Sequence, residues 1–222
     1  MSGNTAPKDG TVAPPDGQVD RQLLRIAFIL VLGTFMATLD ATIVSVGIDS
    51  LSEEFDASVA GIQWVTTAYL LAVVAAVPAS GWLADRFGGR RTWLAAVGVF
   101  LLGSVLCATA WSVTSLVVFR VIQCLGGGLL PATGQALLAR VAGPTRTGRV
   151  ISVVAVVPLL SPVFGPLVGG SILGVAPWPW LFLVNLPIGV VAALLARRHV
   201  PAVPPSTRRA AFDLRGALLL SP

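Results

Sequence analysis

The stretch GWLADRFGGRRTW (residues 81–93) packs one aspartate, three arginines and three glycines between two long apolar runs. Elsewhere charge is scarce. Of the 222 residues only 11% are charged while 55% are hydrophobic, too little charge for an ordinary soluble domain of this length. Apolar runs of about 20 residues, enough for a helix to cross a hydrocarbon core of roughly 30 Å, recur over 26–48, 61–83, 92–111, 115–138, 150–173 and 180–196. They are delimited by length and polar interruption, because helical periodicity is weak where every face is apolar. The chain therefore reads as an all-α membrane protein of six spans, and residues 81–93 as the turn joining the second span to the third.

The arginines orient that bundle. Arg21 and Arg25 precede the first span, Arg86, Arg90 and Arg91 follow the second, Arg140, Arg146 and Arg149 follow the fourth, and Arg197, Arg198, Arg208, Arg209 and Arg215 follow the sixth. The opposite loops, 49–60, 112–114 and 174–179, contain no arginine or lysine, and the first carries Asp49, Glu53, Glu54 and Asp56. Lys and Arg near span ends mark the cytoplasmic side, so both ends of the six-span unit are expected there, in a plasma (inner) membrane. Topology accounts for the basic charge, and no nucleic-acid partner is expected because the arginines are scattered over four segments without an aromatic-bearing recognition fold.

Residues 1–22, rich in Gly, Pro, Thr and Asp, hold too little apolar surface to fold and are expected to form a disordered cytoplasmic tail. No cleavable signal is expected, since the first apolar run starts far from the N-terminus and ends without a small-residue cleavage site. Residues 23–196 should form the bundle, 197–213 a basic cytoplasmic linker with Pro201, Pro204 and Pro205, and 214–222 the first residues of a truncated seventh span. Cys107 and Cys124 lie inside spans and read as small apolar filler, and His199 stands alone in a basic segment, so neither metal nor cofactor is expected. The absence of a G-x-x-x-x-G-K-[ST] phosphate loop, of H-E-x-x-H and of a nucleophile elbow argues against nucleotide-driven or enzymatic chemistry.

Asp40 and Arg120 are the charged residues well inside spans. Such groups are costly in the bilayer and face the bundle interior or a water cavity. Asp40 stands eight residues, roughly 12 Å, from the outer end of its helix, and Arg120 five residues, roughly 7–8 Å, from the outer start of its own. The two helices run in opposite directions, so both charges fall in the outer half at similar depth. A helical wheel puts Gly33, Ala37, Val44 and Gly47 on the face of Asp40, with Thr34, Thr38, Thr42 and Ser45 opposite. That hydroxyl stripe suits either a wet pathway, with Thr38 and Thr42 lining it, or interhelical hydrogen bonds. Arg120, Gln123, Cys124, Gly127 and Pro131 share one face of the fourth span, which makes Gln123 a partner for Arg120 before it is a pathway contact. Burial favours a protonated carboxyl and a guanidinium partner favours the carboxylate. Asp40, with Arg120, is thus the candidate proton-coupling group, the plainer alternative being a static buried ion pair. In the fifth span Pro158, Pro162 and Pro166 recur every fourth residue, as do Ser161, Gly165 and Gly169, which predicts a bent and closely packed helix.

Five motifs carry a family resemblance. GWLADRFGGRR resembles the G-x-L-x-D-R-x-G-R-[KR] signature of the major facilitator superfamily of secondary transporters through Gly81, Leu83, Asp85, Arg86, Gly88 and Arg90, with Gly89 departing from it. LDATIVSVGI (39–48) is similar to the first-span signature of the fourteen-span drug:proton antiporter branch, with Ser45 and Gly47 in place of Asn and Ala. RVIQCLGGG (120–128) resembles the fourth-span R-x-x-Q-G-x-G, with Cys124 for a glycine. SPVFGPLVGG (161–170) resembles the antiporter motif G-x-x-x-G-P-x-x-G-G through Gly165, Pro166, Gly169 and Gly170. WPWLFLVNLPIG (178–189) is similar to the start of the sixth span in that branch.

The resemblance implies a six-helix bundle built as a 3+3 inverted repeat, the N-terminal half of a two-bundle transporter. It implies export of small amphipathic, drug-like compounds in exchange for protons by alternating access, with consequent drug and antibiotic resistance. Gly81, Asp85, Arg86, Gly88 and Arg90 would form a cytoplasmic gating loop. Partners would be the substrate, protons, the lipid bilayer and a second half or second copy of the chain; the alternative is a non-transporting truncated half that acts only as an assembly partner or is inactive.

Overall fold

The computed structural model describes residues 21–202. Of the expected segments, the tail lies outside the described residues apart from Arg21 and Gln22. The linker beyond Ala202 and the seventh-span start at 214–222 lie outside them too.

The described residues form nine helices: α1 (Arg21–Val46), α2 (Ile48–Glu54), α3 (Val59–Phe87), α4 (Gly89–Ala108), α5 (Val113–Ala142), α6 (Pro144–Leu159), α7 (Ser161–Val175), α8 (Trp180–Leu183) and α9 (Asn185–His199). Six stretches among them are long and apolar enough to cross a membrane: α1, α3, α4, α5, and the runs Arg146–Val175 and Trp180–His199 that α6–α7 and α8–α9 make together. The protein is a multi-pass membrane protein.

Local chemistry sets the ends. The Ser58 hydroxyl accepts from the Gly61 amide at 3.2 Å at the start of α3, and Ser112 with Ser115 forms a capping box on α5. Gly88 ends α3 at φ +88° and Gly143 ends α5 at φ +73°, a region side chains rarely adopt. Each glycine turns the chain directly into the next span, and after Gly143 the next helix opens on Pro144, where a missing N–H costs nothing.

The second, third and fourth spans shift by two to four residues at their ends, to α3, α4 and α5, and the other three need fuller correction. The first ends at Val46, not at residue 48, because Gly47 turns the chain into the short α2. The fifth starts at Pro144 and loses ladder bonds at Leu160, between α6 and α7, while the backbone there stays in the helical region at φ −79° and ψ −21°, so the expected single helix continues through an interruption. Pro162 has no N–H to continue the ladder and opens α7 in its first turn, while Val163 and Phe164 both donate to the Leu160 carbonyl at 3.0 Å. The sixth runs on to His199 and breaks at Val184. Pro187 then falls in the first turn of α9, where a missing N–H breaks no helical bond.

The first span is the centre of the bundle, 67% buried over its apolar window, against 19% for the fifth. Two apolar clusters fill the interior. One lies toward the arginine-bearing end, with Ile26, Leu30, Trp93, Val97, Phe100, Leu130 and Leu137; the other, toward the opposite loops, holds Leu39, Ile43, Leu51, Ile62, Leu116, Leu181 and Phe182. Between them runs a buried polar layer of Asp40, Ser104, Arg120, Gln123 and Asn185. Large apolar side chains such as Phe28, Leu71, Leu102 and Leu194 point outward, as lipid contact requires.

Glycine lets α4 and α5 touch backbone to backbone. A Cβ on Gly126 would lie 2.6 Å from both the Ala96 carbonyl oxygen and the Phe100 nitrogen, whereas one on Gly98 would meet nothing within 4 Å. Gly126→Ala is therefore expected to destabilise the bundle by about 1–3 kcal/mol through overpacking, with Gly98→Ala neutral or stabilising by up to about 1 kcal/mol through helix propensity. Thermal unfolding in detergent, followed by tryptophan fluorescence, measures the difference; equal midpoints would contradict this account of the interface.

Candidate functional site

Helix packing assembles the polar layer from four spans. α1 contributes Asp40, α4 Ser104 and Cys107, α5 Arg120 and Gln123, and the break between α8 and α9 delivers Asn185. Asp40, Ser104, Gln123 and Asn185 are wholly enclosed and Arg120 is 1% exposed. Arg120 Nη1 donates to Asp40 Oδ2 at 2.5 Å and to Gln123 Oε1 at 2.7 Å. Gln123 Nε2 donates to Asp40 Oδ1 at 3.0 Å and to the Ser104 hydroxyl at 2.8 Å. Asn185 Nδ2 donates to Asp40 Oδ1 at 2.7 Å. The guanidinium lies 5.2 Å from the ring centre of Tyr69 on α3 and 5.5 Å from that of Phe182 on α8, within cation–π range. Tyr69 in turn donates its hydroxyl to the Ala37 carbonyl at 3.3 Å.

The sequence expectation that Asp40 and Arg120 share a depth is met by direct contact, and Gln123 joins them as a hydrogen-bond partner. Two other members of the layer, Asn185 and Ser104, and Tyr69 beside it escaped sequence reading. Asn185 lies inside a stretch whose family resemblance was noted, without a role for the amide; its signal was an uncharged polar residue in an apolar span beside a proline. Tyr69, the single tyrosine of the chain, sits mid-span and away from the interfacial positions tyrosines favour. Ser104 had no distinguishing mark.

Thr38 and Thr42 are half-buried against α7. The hydroxyls of Thr38 and Ser161 lie 2.7 Å apart, and Thr42 donates to the Ser161 carbonyl at 3.2 Å. Gly165 and Gly169 are buried beneath α1: a Cβ on Gly165 would collide with the Thr42 side chain, and one on Gly169 would come within 3.4 Å of the Ile43 carbonyl oxygen. Pro166 and Gly170 lie exposed on α7.

At the turn after α3, Asp85 pairs with Arg140 at the end of α5 at 2.6 Å, with the two side chains 43% and 40% exposed. Asp85 therefore finds its partner on α5 and not among the arginines of its own loop: the turn at Gly88 carries Arg90 onto α4, where its Nη1 donates to the Val200 carbonyl at 3.2 Å. Arg86 lies 5.4 Å from the Trp82 ring centre and 5.8 Å from that of Phe87. Gly81 is exposed, with open space where a Cβ would stand. An exposed ion pair contributes only about 0–1 kcal/mol, so Asp85–Arg140 can open and close at little energetic cost.

Comparison with known proteins places this geometry. The family model described as Major Facilitator Superfamily matches residues 30–221. A multidrug resistance protein B homolog of Mycobacterium tuberculosis is 45% identical over 216 residues, covering 97% of this chain and 40% of that protein. The putative multidrug resistance protein MdtD of Salmonella typhi is 36% identical over 194 residues, covering 87% of this chain and 41% of that protein. The chain thus spans about two fifths of the length of these curated relatives. Among solved structures, the proton:xylose symporter XylE matches with a TM-score of 0.72 at 17% identity, over 83% of this chain and 45% of the other. A bacterial homologue of the human lysosomal transporter Spinster matches with a TM-score of 0.72 at 17% identity, over 86% and 47% respectively. At such identity these two speak for the fold alone, while the matched family model covers most of the sequence. The chain belongs to the Major Facilitator Superfamily.

Proposed function

We propose that this chain supplies the first six-span bundle of a proton-coupled exporter of small amphipathic, drug-like compounds, working by alternating access in the plasma (inner) membrane with its N-terminus in the cytoplasm. One observation carries the reading: a carboxylate, wholly enclosed at membrane depth, bonded to an arginine and two amides. An ionisable group kept there at such expense marks an ion pathway, and a carboxylate that takes up one proton becomes neutral and releases its hold on Arg120. The multidrug-resistance names of the relatives support a drug-like substrate.

The remaining candidates take roles around that exchange. Gly165, Pro166, Gly169 and Gly170 give the fifth span one face locked on α1 and another free, so α6 and α7 can rock about Leu160. Thr38 and Thr42 border the same seam and would meet the pathway when α7 moves away. Gly81, Asp85, Arg86, Gly88 and Arg90 form the cytoplasmic gate, with the Asp85–Arg140 pair as its latch.

The test is direct. In everted vesicles carrying this bundle within a complete two-bundle transporter, ethidium, tetracycline or a fluoroquinolone should partly collapse an imposed pH gradient, read with a pH-sensitive dye. A gradient unmoved by every compound of the panel would end the proposal.

A further inference from the structure

The hydrogen-bond complement of Asp40 suits only one of its two charge states. Three N–H donors, from Arg120, Gln123 and Asn185, converge on its two oxygens, as fits a carboxylate. A protonated carboxyl carries a hydrogen of its own and needs an acceptor, and every residue in this layer is shut off from solvent.

The groups around Asp40 differ in whether they can supply one. Gln123 is held at both ends: its Oε1 accepts from Arg120 at 2.7 Å and from the Cys107 thiol at 3.5 Å, while its Nε2 serves Asp40 and Ser104. Turning that amide would set its NH2 against the guanidinium and lose the bonds at both ends. The titratable neighbours are Tyr69 from α3, Cys107 from α4, and Arg120 and Cys124 from α5. Tyr69, Cys107 and Cys124 make no hydrogen bond to Asp40, whose partners are Arg120, Gln123 and Asn185, the thiol sulfurs are weak acceptors, and Arg120 has no acceptor to offer. From α8, Phe182 presents a ring. Asn185 is different: its Oδ1 is buried and without a partner among the described residues, while its Nδ2 bonds Asp40.

We propose that the Asn185 carboxamide turns over when Asp40 takes up a proton, so that the amide which donates to the carboxylate accepts from the carboxylic acid. A half-turn about the last side-chain bond exchanges nitrogen and oxygen without moving the backbone. It brings Oδ1 to the place Nδ2 holds, 2.7 Å from Asp40 Oδ1, the usual length of an O–H···O bond. No other bond is lost, because the departing nitrogen takes the site where the oxygen had no partner. The proton adds to Asp40 Oδ1 and leaves from the same atom. Asn185 neither gains nor loses one, and acts as a positioning residue for both states. Asn185 opens α9 and brings a polar side chain from the sixth span to this depth. This inference rests on the reading of Asp40 as the proton-coupling acid.

The chain has two asparagines, Asn4 and Asn185, so isotope-labelled asparagine in an Asn4→Ser background reports on Asn185 alone. The full chain, reconstituted in lipid, is titrated with acid while infrared difference spectra are recorded. The expected result is a protonated-carboxyl band absent in Asp40→Asn, with the labelled carboxamide modes shifting in step with it at one midpoint. In Asn185→Leu the carboxyl band should move to higher wavenumber, its hydrogen having lost its acceptor. Carboxamide modes that stay still while Asp40 titrates would overturn the turnover and leave the reading of Asp40 intact. A spectrum with no Asp40-dependent carboxyl band would overturn both. The labelled arm keeps Asn185 itself, so a misfolded leucine variant leaves the decision unaffected.

Discussion

Arg120→Ala is expected to destabilise the bundle by about 3–5 kcal/mol, the range for breaking a buried ion pair by removing one partner. The guanidinium is 1% exposed and Asp40 wholly enclosed, so the stranded carboxylate can reach no water. The loss spreads further: Gln123 keeps only the longer bond from the Cys107 thiol at its carbonyl, and Tyr69 and Phe182 lose the cation between them. Replacing both members, as in Asp40→Leu with Arg120→Leu, should recover much of the stability, because two apolar side chains leave no buried charge behind. Arg120→Lys should recover less, since a strongly hydrated ammonium costs more to bury and lacks the flat guanidinium that rests against Tyr69 and Phe182. Fluorescence-monitored unfolding in detergent ranks the variants. A single Arg120→Ala as stable as the double replacement would mean the pair carries none of the burden assigned to it.

Asp40→Asn is expected to leave the bundle folded and to abolish proton exchange entirely, because no titratable oxygen remains on the first span. The amide keeps an acceptor for Arg120, whose charge also rests against two aromatic rings. The destabilisation should therefore fall short of that caused by Arg120→Ala. Its nitrogen would face two donors, Gln123 Nε2 and Asn185 Nδ2, and only Asn185 can turn an unengaged oxygen toward it. Measured in the vesicles described above, substrate addition should no longer shift the pH gradient, while the protein still elutes as a folded species. Exchange that survives in this variant would move the coupling role to another group.

Much of the architecture was legible because the bilayer imposes simple rules. Backbone groups in hydrocarbon must bond within their own segment, so long apolar runs can only be helices, and the count and order of spans follow. Helical rise then places residues in depth, which is why Asp40 and Arg120 could be paired from their positions alone. Azimuth was harder. Where lipid and neighbouring helices are equally apolar, the pattern does not say which face meets which partner, and Tyr69, Ser104 and Asn185 were passed over for that reason. Asp85 shows the same limit at the surface: its neighbours in sequence are arginines, yet the turn at Gly88 aims it at Arg140, 55 residues away.

Prolines gave a similar half-answer. Three of them at four-residue spacing foretold a bend in the fifth span, but the break falls at Leu160, where α7 must seat Ser161 on Thr38 and Gly165 on Thr42. The amino-acid sequence by itself determined six helices long and apolar enough to cross a membrane and the shared depth of the two buried charges, because hydropathy and helical rise act along a single chain. Only the tertiary structure decided which amides complete the shell of Asp40, which arginine holds Asp85 and where the helices break. Those outcomes depend on side chains from different spans competing for the same few hydrogen bonds.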